Sequence, residues 1–430
     1  MSVTKLNCPA KFFTLISKYY FLIISTAYLL RVLPLFIHPT LWAEDATVFY
    51  GPLLKHQISF HELLFSTYAG QRFTLQFIIA KVLLTILGSK LLYLPILSTL
   101  VCIALTYAMG LIWLRSDFLV KSRTGRRAIF GYILLAPSAW EGLGNLTNLH
   151  GYLLLGLFGL AGWNMSKDKF GIPIFLLVSG FSVMTSINGL FLLGVIAVSA
   201  HFNKKNFWIP FIGVAALVAF QAIGWLIRTG GLAPESIKTQ IANSSIASIK
   251  RIGAGMIVGQ NGESYVAQFM NNQRWLFIGS IPIFFLCILI KKAKSRESSL
   301  VPFFFILTAL ILYFILVLCV SRPIGISHLT EFGSAGRYFV IVHTLVFVLF
   351  VLAVENLPNE KTLVTKITTV ALIFMILLGV ASDFRLKDKS NSMTRSSWLA
   401  FSRCYEASGK NCRALVPPGQ SWGNWGISLN

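Results

Sequence analysis

Residues 19–46 read YYFLIISTAYLLRVLPLFIHPTLWAEDA. The run from Tyr19 to Ile37 is apolar and, at a helical rise of about 1.5 Å per residue, nearly matches a hydrocarbon core about 30 Å thick. It ends on a short polar stretch that carries two adjacent carboxylates, Glu44 and Asp45. Lys5, Lys11 and Lys18 precede it. A cleavable signal peptide has a shorter apolar core and a small-residue cleavage site, so this run reads as a permanent first membrane helix with a cytoplasmic N-terminus.

The pattern repeats along the chain. Of 430 residues 55% are hydrophobic and only 12% charged, about half the charged fraction of soluble domains. Short Lys/Arg-rich segments belong on the cytoplasmic side. The N-terminus, residues 115–127, Lys167/Lys169, Lys204/Lys205, Lys291–Arg296 and Glu355–Lys366 fit that role. Placing them inside predicts an all-α polytopic membrane protein with about eleven spans, near 19–37, 91–114, 128–140, 149–164, 171–186, 188–202, 207–227, 275–290, 300–320, 337–354 and 363–381. The 128–140 span is short and must extend or break. An odd number of spans leaves the C-terminus outside.

Residues 72–88 are apolar but contain Arg72 and Lys81. As a span they would push the basic 115–127 loop outside, so they read as amphipathic helix on the outer surface. The first outer loop then covers about 38–90 of a membrane domain at 1–381, and 382–430 forms a small outer tail. Residues 229–274 and 321–336 are the other sizeable outer segments. About as many Lys/Arg fall outside as inside; the outer surplus suits an anionic substrate or anionic lipid headgroups.

Cys102, Cys287 and Cys319 lie in apolar spans and read as small buried hydrophobes; Cys8 is cytoplasmic. Cys404 and Cys412 flank a short polar stretch placed outside, where an oxidising compartment favours a disulfide. The chain has no Walker or Rossmann glycine pattern and no internal repeat. A nucleotide-driven pump and a soluble nucleotide-sugar transferase domain are therefore disfavoured.

A first helix ending outside, then Trp42-Ala43-Glu44-Asp45, amphipathic outer helices and some ten further spans together resemble the GT-C superfamily of membrane glycosyltransferases. Size and outer C-terminal tail resemble bacterial O-antigen-modifying (serotype-converting) glucosyltransferases. The resemblance implies a multi-pass protein of the bacterial inner membrane, N-terminus cytoplasmic and C-terminus periplasmic. It implies transfer of a hexose, glucose first among candidates, from a polyprenyl-phosphate carrier to a lipid-linked periplasmic glycan such as the O-antigen of lipopolysaccharide. Its partners would be donor, acceptor and membrane lipids, with no nucleic acid. The Asp-X-Asp form of some members is absent, so a divalent metal lacks support and no firm cofactor is expected. An O-antigen polymerase and a lipid or glycan flippase or transporter are the alternatives; paired interrupted helices, the usual mark of a transporter, are not evident.

Transfer with inversion requires deprotonating the acceptor hydroxyl, and negative charge also favours an oxocarbenium-like transition state. Asp45, ahead of Glu44, is the expected base. The competing reading is that both carboxylates cap a helix starting at Ala46. The departing phosphate calls for Arg. Arg31 sits near the outer end of the first helix and Arg72 on the interfacial segment. Arg337 and Tyr338 follow the glycine-containing loop Glu331–Gly336 at a helix start, where Arg322 and His328 are weaker candidates. Snorkelling is the competing role for Arg31 and Arg72. Residues 140–150, WEGLGNLTNLH, offer Trp140 for stacking on a sugar and Asn145, Asn148 and His150 for directed hydrogen bonds. This polar loop is expected to dip toward the membrane and line a cavity, against the plainer role of an interfacial loop with a Trp anchor. Asn188 marks a turn between adjacent spans.

Overall fold

The computed structural model of the chain describes residues 8–55, 59, 62, 67–68, 71–139, 142–164, 170–185, 189–203, 245–266, 271–293, 300–320, 336–358, 362–386, 392–416 and 426–429. Each expected span has a helix over most of its described residues, except 207–227, which lies outside them; the 128–140 span is helical only as far as Leu135. In chain order the helices are α1 (Cys8–Ile37), α2 (Gly51–Leu54), α3 (Thr74–Leu87), α4 (Leu94–Trp113), α5 (Arg123–Leu135), α6 (Leu149–Ala161), α7 (Gly171–Val183) and α8 (Gly189–Asn203). There follow α9 (Gly255–Val266), α10 (Asn272–Ala293), α11 (Leu300–Val320), α12 (Gly336–Glu355), α13 (Leu363–Ser382) and α14 (Ser392–Ala407). Two π-helical segments, Asp45–Tyr50 and Ser248–Ala254, run directly into α2 and α9. Two antiparallel hairpins complete the described chain: β1 (Thr67–Tyr68) with β2 (Gln71–Arg72), and β3 (Cys412–Leu415) with β4 (Gly426–Leu429).

Among the described residues five helices are long and apolar enough to cross a membrane, and several shorter apolar helices accompany them. The surface agrees. Leu22 and Leu29 on α1, Phe277 on α10, Phe304 on α11 and Leu363 and Phe374 on α13 are all exposed. Apolar surface this extensive belongs against lipid, and the chain is a multi-pass membrane protein. Its bundle core centres on α12, most of which is buried, with Phe347 stacked on Tyr132 of α5 at 4.2 Å between ring centroids. Cys102 is buried as expected. Cys287 corrects the sequence reading: α10 lies at the bundle periphery, and this thiol is exposed on it.

α5 breaks early for a local reason. Ala136 precedes Pro137, and a residue before proline is driven out of the helical region; Ala136 has ψ 138°. The described residues that follow, 136–139 and 142–148, are not helical and lead to α6.

A second core lies apart from the bundle. Leu41, Phe49 and Tyr50 from the first loop and Phe77 of α3 pack with Trp398 and Phe401 of α14 and with Ile427 and Leu429 of β4. The Cys404–Cys412 disulfide joins α14 to β3 within this unit. The C-terminal segment therefore does not stand alone; it shares a core with residues 41–94.

The segment 248–266 also packs more deeply than its sequence suggests. A Cβ on Gly253 would lie 1.9 Å from Gly279 O of α10, so only glycine permits that approach.

Candidate functional site

α1 ends at Ile37, and the chain re-enters helix so that Glu44 occupies the N-cap of the π-helix Asp45–Tyr50. No side-chain cap hydrogen bond forms there, so the capping alternative is not what these carboxylates do. They point to two different partners. Glu44 Oε1 accepts from Arg337 Nη1 at 2.8 Å, across the interval between the first loop and the start of α12. Asp45 turns the other way: its Oδ2 accepts from Leu146 N (2.8 Å), and its Oδ1 from Thr147 N (2.9 Å) and Thr147 Oγ1 (2.7 Å). Burial pushes the Asp45 carboxyl up to about 6, although the hydrogen bonds from Thr147 and Leu146 pull it down; Glu44 adds a smaller upward push. π-Helical turns recur at functional sites, and here the turn sends adjacent carboxylates to different neighbours.

The loop that Asp45 grips is built from both ends. Where α5 stops at Leu135, its last carbonyls would be left without partners. Arg31 of α1 meets that need, donating to Leu134 O (3.1 Å) and Ala136 O (2.7 Å). Asp383, just past α13, accepts from Ser138 N at 2.6 Å. Gly144 then turns the chain at φ +78°, where a Cβ would also strike Leu35 of α1. Asp45 fixes the far end at Leu146 and Thr147.

Arg337 stands where these parts meet. Its guanidinium lies 5.2 Å from the Tyr338 ring centroid. A small cleft beside it is walled by Gly142, Asn148, Gly151, Tyr152 and Ile341. His150 Nδ1 donates to Thr147 O at 2.7 Å, its ring meets Phe73 edge to face, and it is within electrostatic reach of Arg337. Asn145 and Asn148 are buried in the same loop. The site thus combines a carboxylate, a guanidinium, an imidazole and amides at one end of the bundle.

Glu44, Asp45, Asn145, Asn148, His150, Arg337 and Tyr338 are therefore gathered around one loop and the end of one helix. Arg31 is not among them: it is 1% exposed and bonded to backbone carbonyls, neither snorkelling nor facing the cleft. Arg72 lies in β2, where its side chain is outside the described residues. Trp140, Glu141, Asn188, Arg322, His328 and residues 331–335 are also outside them.

Sequence reasoning missed Thr147 and Tyr152, which carried no charge to attract notice. It also assigned nothing to the second π-helix, where Lys250 and Arg251 are buried. Arg251 sits over the Phe339 ring at 4.5 Å, and its carbonyl accepts from His343 Nε2 at 2.9 Å. The glycines at 253, 255 and 259 were the available sign of close packing there.

Among the described residues no group of three or more His, Cys, Asp or Glu could hold a metal ion. The fold and this cleft define a multi-pass membrane protein with a Glu44–Arg337 ion pair at one end of its bundle. No family model matches the chain, and no curated protein or solved structure is significantly similar to it.

Proposed function

We propose that the protein is a GT-C-like glycosyltransferase of the bacterial inner membrane, moving a hexose from a polyprenyl-phosphate carrier to a periplasmic glycan. Glu44 is the base, Arg337 the group that receives the donor phosphate, and Asp45 a positioning residue. The single observation that carries this reading is the Glu44–Arg337 pair at 2.8 Å, flanked by the polar loop that Asp45 holds in place.

The roles differ from the sequence expectation for a physical reason. A general base needs reach to the acceptor hydroxyl, and Asp45 spends both oxygens on three donors. Glu44 has one identified partner, and that partner is the cation best suited to a phosphate through bidentate hydrogen bonding. A donor phosphate at Arg337 competes with Glu44 for the guanidinium. Glu44 is then left to take the acceptor proton as the acceptor oxygen bonds to the anomeric carbon and the carrier leaves as polyprenyl phosphate. Asn145, Asn148 and His150 supply hydrogen bonds to sugar hydroxyls.

The orientation, N-terminus cytoplasmic and C-terminus periplasmic with about eleven spans, is part of the proposal. It draws support from the second core: segments 41–94 and 392–429 pack together, so an even number of crossings separates them, while α1 puts the N-terminus on the opposite side. The outward residues of α3, with Lys81 beside Val82 and Ile86, suit a helix lying at the membrane surface.

Mass spectrometry of surface glycans from cells with and without the gene tests the function. The expected result is a glycan lighter by one hexose when the gene is deleted, restored by the wild-type gene and not by Glu44→Gln at matched expression. An unchanged glycan refutes the reading.

A further inference from the structure

A sizeable apolar cavity lies away from the cleft. It holds about 460 Å³ between α1, α5, α12 and α13, within the range of about 300–1,000 Å³ typical of small-molecule sites. Its walls are almost wholly apolar: Ile24 from α1, Ala128 and Tyr132 from α5, Phe350 from α12, Ile373 and Leu377 from α13. Ile373 and Leu377 are themselves exposed, so the cavity is a groove open to the bilayer rather than a sealed void.

The groove has direction. Of its polar lining, Ser122, Thr124 and Glu355 gather at the end where α5 begins. Lys121 and Arg123 are exposed on that turn. On α13 the lining residues Thr369, Ile373, Ile376 and Val380 follow helical spacing, and exposed Lys366 lies one turn before Thr369 on the same face. The acid that lines this end, Glu355, accepts from Lys121 N (3.0 Å), Ser122 N (3.0 Å) and Ser122 Oγ, which offsets its charge. Arg126 is held by Val120 O and Lys121 O, and Arg127 lies over the Tyr20 and Phe21 rings. The lining runs the length of α5, about 20 Å by the helical rise. One leaflet of hydrocarbon is about 15 Å deep, half of the roughly 30 Å core.

We propose that this groove binds one anionic phospholipid, with an acyl chain between α5, α12 and α13 and the headgroup phosphate at Arg123 and Lys366. Apolar walls, single-leaflet length and a cationic mouth fit that molecule. A polyprenyl-phosphate donor would instead need its phosphate at the opposite end, toward Arg337. In the orientation proposed above the lipid belongs to the cytoplasmic leaflet; its binding is independent of glycosyl transfer.

Native mass spectrometry of the purified full-length protein tests this, with phosphatidylglycerol or phosphatidylethanolamine of identical chains added in turn. The expected result is one retained phosphatidylglycerol per chain, at least about five-fold over phosphatidylethanolamine. Ile373→Trp, which fills the groove, removes the adduct; Phe374→Trp, on the exposed face beside it, keeps it. Arg123→Gln with Lys366→Gln brings retention down to the phosphatidylethanolamine level. Equal retention of the two lipids by the wild type, or an adduct unchanged in Ile373→Trp, overturns the proposal. Polyprenyl phosphate displacing phosphatidylglycerol at a site blocked by Ile373→Trp also overturns it, assigning the groove to the donor instead. None of these readouts requires transferase activity, so failure here and failure of the glycosyltransferase reading are separable.

Discussion

The two ends of the loop between α5 and α6 are both held by buried charge, with different consequences. At the α5 end, the Arg31 guanidinium donates to two backbone carbonyls, and the Asp383 carboxylate accepts from the backbone N–H of Ser138. At the α6 end, Asp45 is also bonded to backbone N–H groups, with Thr147 Oγ1 besides, but its neighbour Glu44 meets another side chain, Arg337, beside a small cleft. A charge bonded to backbone completes the fold and is poorly placed to react. A side-chain pair at a cleft can be exchanged for a ligand. Sequence proximity conceals this difference, because Glu44 and Asp45 are adjacent and Arg31 and Arg337 read alike.

The largest effect expected from this contrast is on stability, at the α5 end. Arg31→Met leaves the carbonyls of Leu134 and Ala136 without their donor and removes the buried cation that faces Asp383. The expected loss is about 3–5 kcal/mol, read as a fall in the midpoint of thermal unfolding in detergent. A stability near that of the wild type would show that Arg31 is not holding the loop.

The other end gives a pH signature. The Asp45 carboxyl sits at about 6 in the folded protein against an ordinary 3.8, because the burial cost exceeds the gain from its hydrogen bonds. A raised folded value means that the folded state takes up a proton first. Its stabilising contribution is complete below about pH 4 and is lost as pH rises through 6. Lowering pH from 7 to 4 therefore shifts the stability difference between wild type and Asp45→Asn toward the wild type by about 2–3 kcal/mol, at about 1.4 kcal/mol per tenfold change. A difference flat with pH would contradict the placement of this carboxylate.

A smaller effect separates positioning from chemistry at neutral pH. In Asp45→Asn the new amide N–H₂ must face Leu146 N–H or the Thr147 donors, and an unmet buried donor costs about 1–3 kcal/mol. The loop loosens, so transfer falls together with stability and the apparent KM for the acceptor rises. Glu44→Gln keeps an isosteric acceptor for Arg337 and changes stability less than Asp45→Asn does. Equal thermal midpoints for the two amide variants would erase the distinction.

Much of the bundle was legible in the sequence because each span declares itself locally, by an uninterrupted apolar run between basic loops. The short 128–140 run announced a break, and Pro137 explains where it falls. The disulfide was legible from compartment and spacing. Encounters between polar segments far apart in the chain were not. Nothing local in Glu44 foretells Arg337, and nothing in Trp398 or Phe401 foretells Phe49, since these meetings depend on how the bundle brings its ends together. Arg31 misled for a related reason: an intramembrane Arg signals function by default, but a helix end broken by proline supplies two carbonyls that need the same donor. Thr147 was invisible because its use rests on backbone geometry more than on residue type.

The central claim is that Glu44, not Asp45, does the chemistry. It is tested most directly by transfer with the purified protein, a polyprenyl-phosphate hexose and a lipid-linked acceptor, wild type against Glu44→Gln. Loss of a positioned general base predicts a fall of about 10²–10⁴ in rate with the thermal midpoint unchanged. Wild-type transfer by Glu44→Gln would contradict the claim.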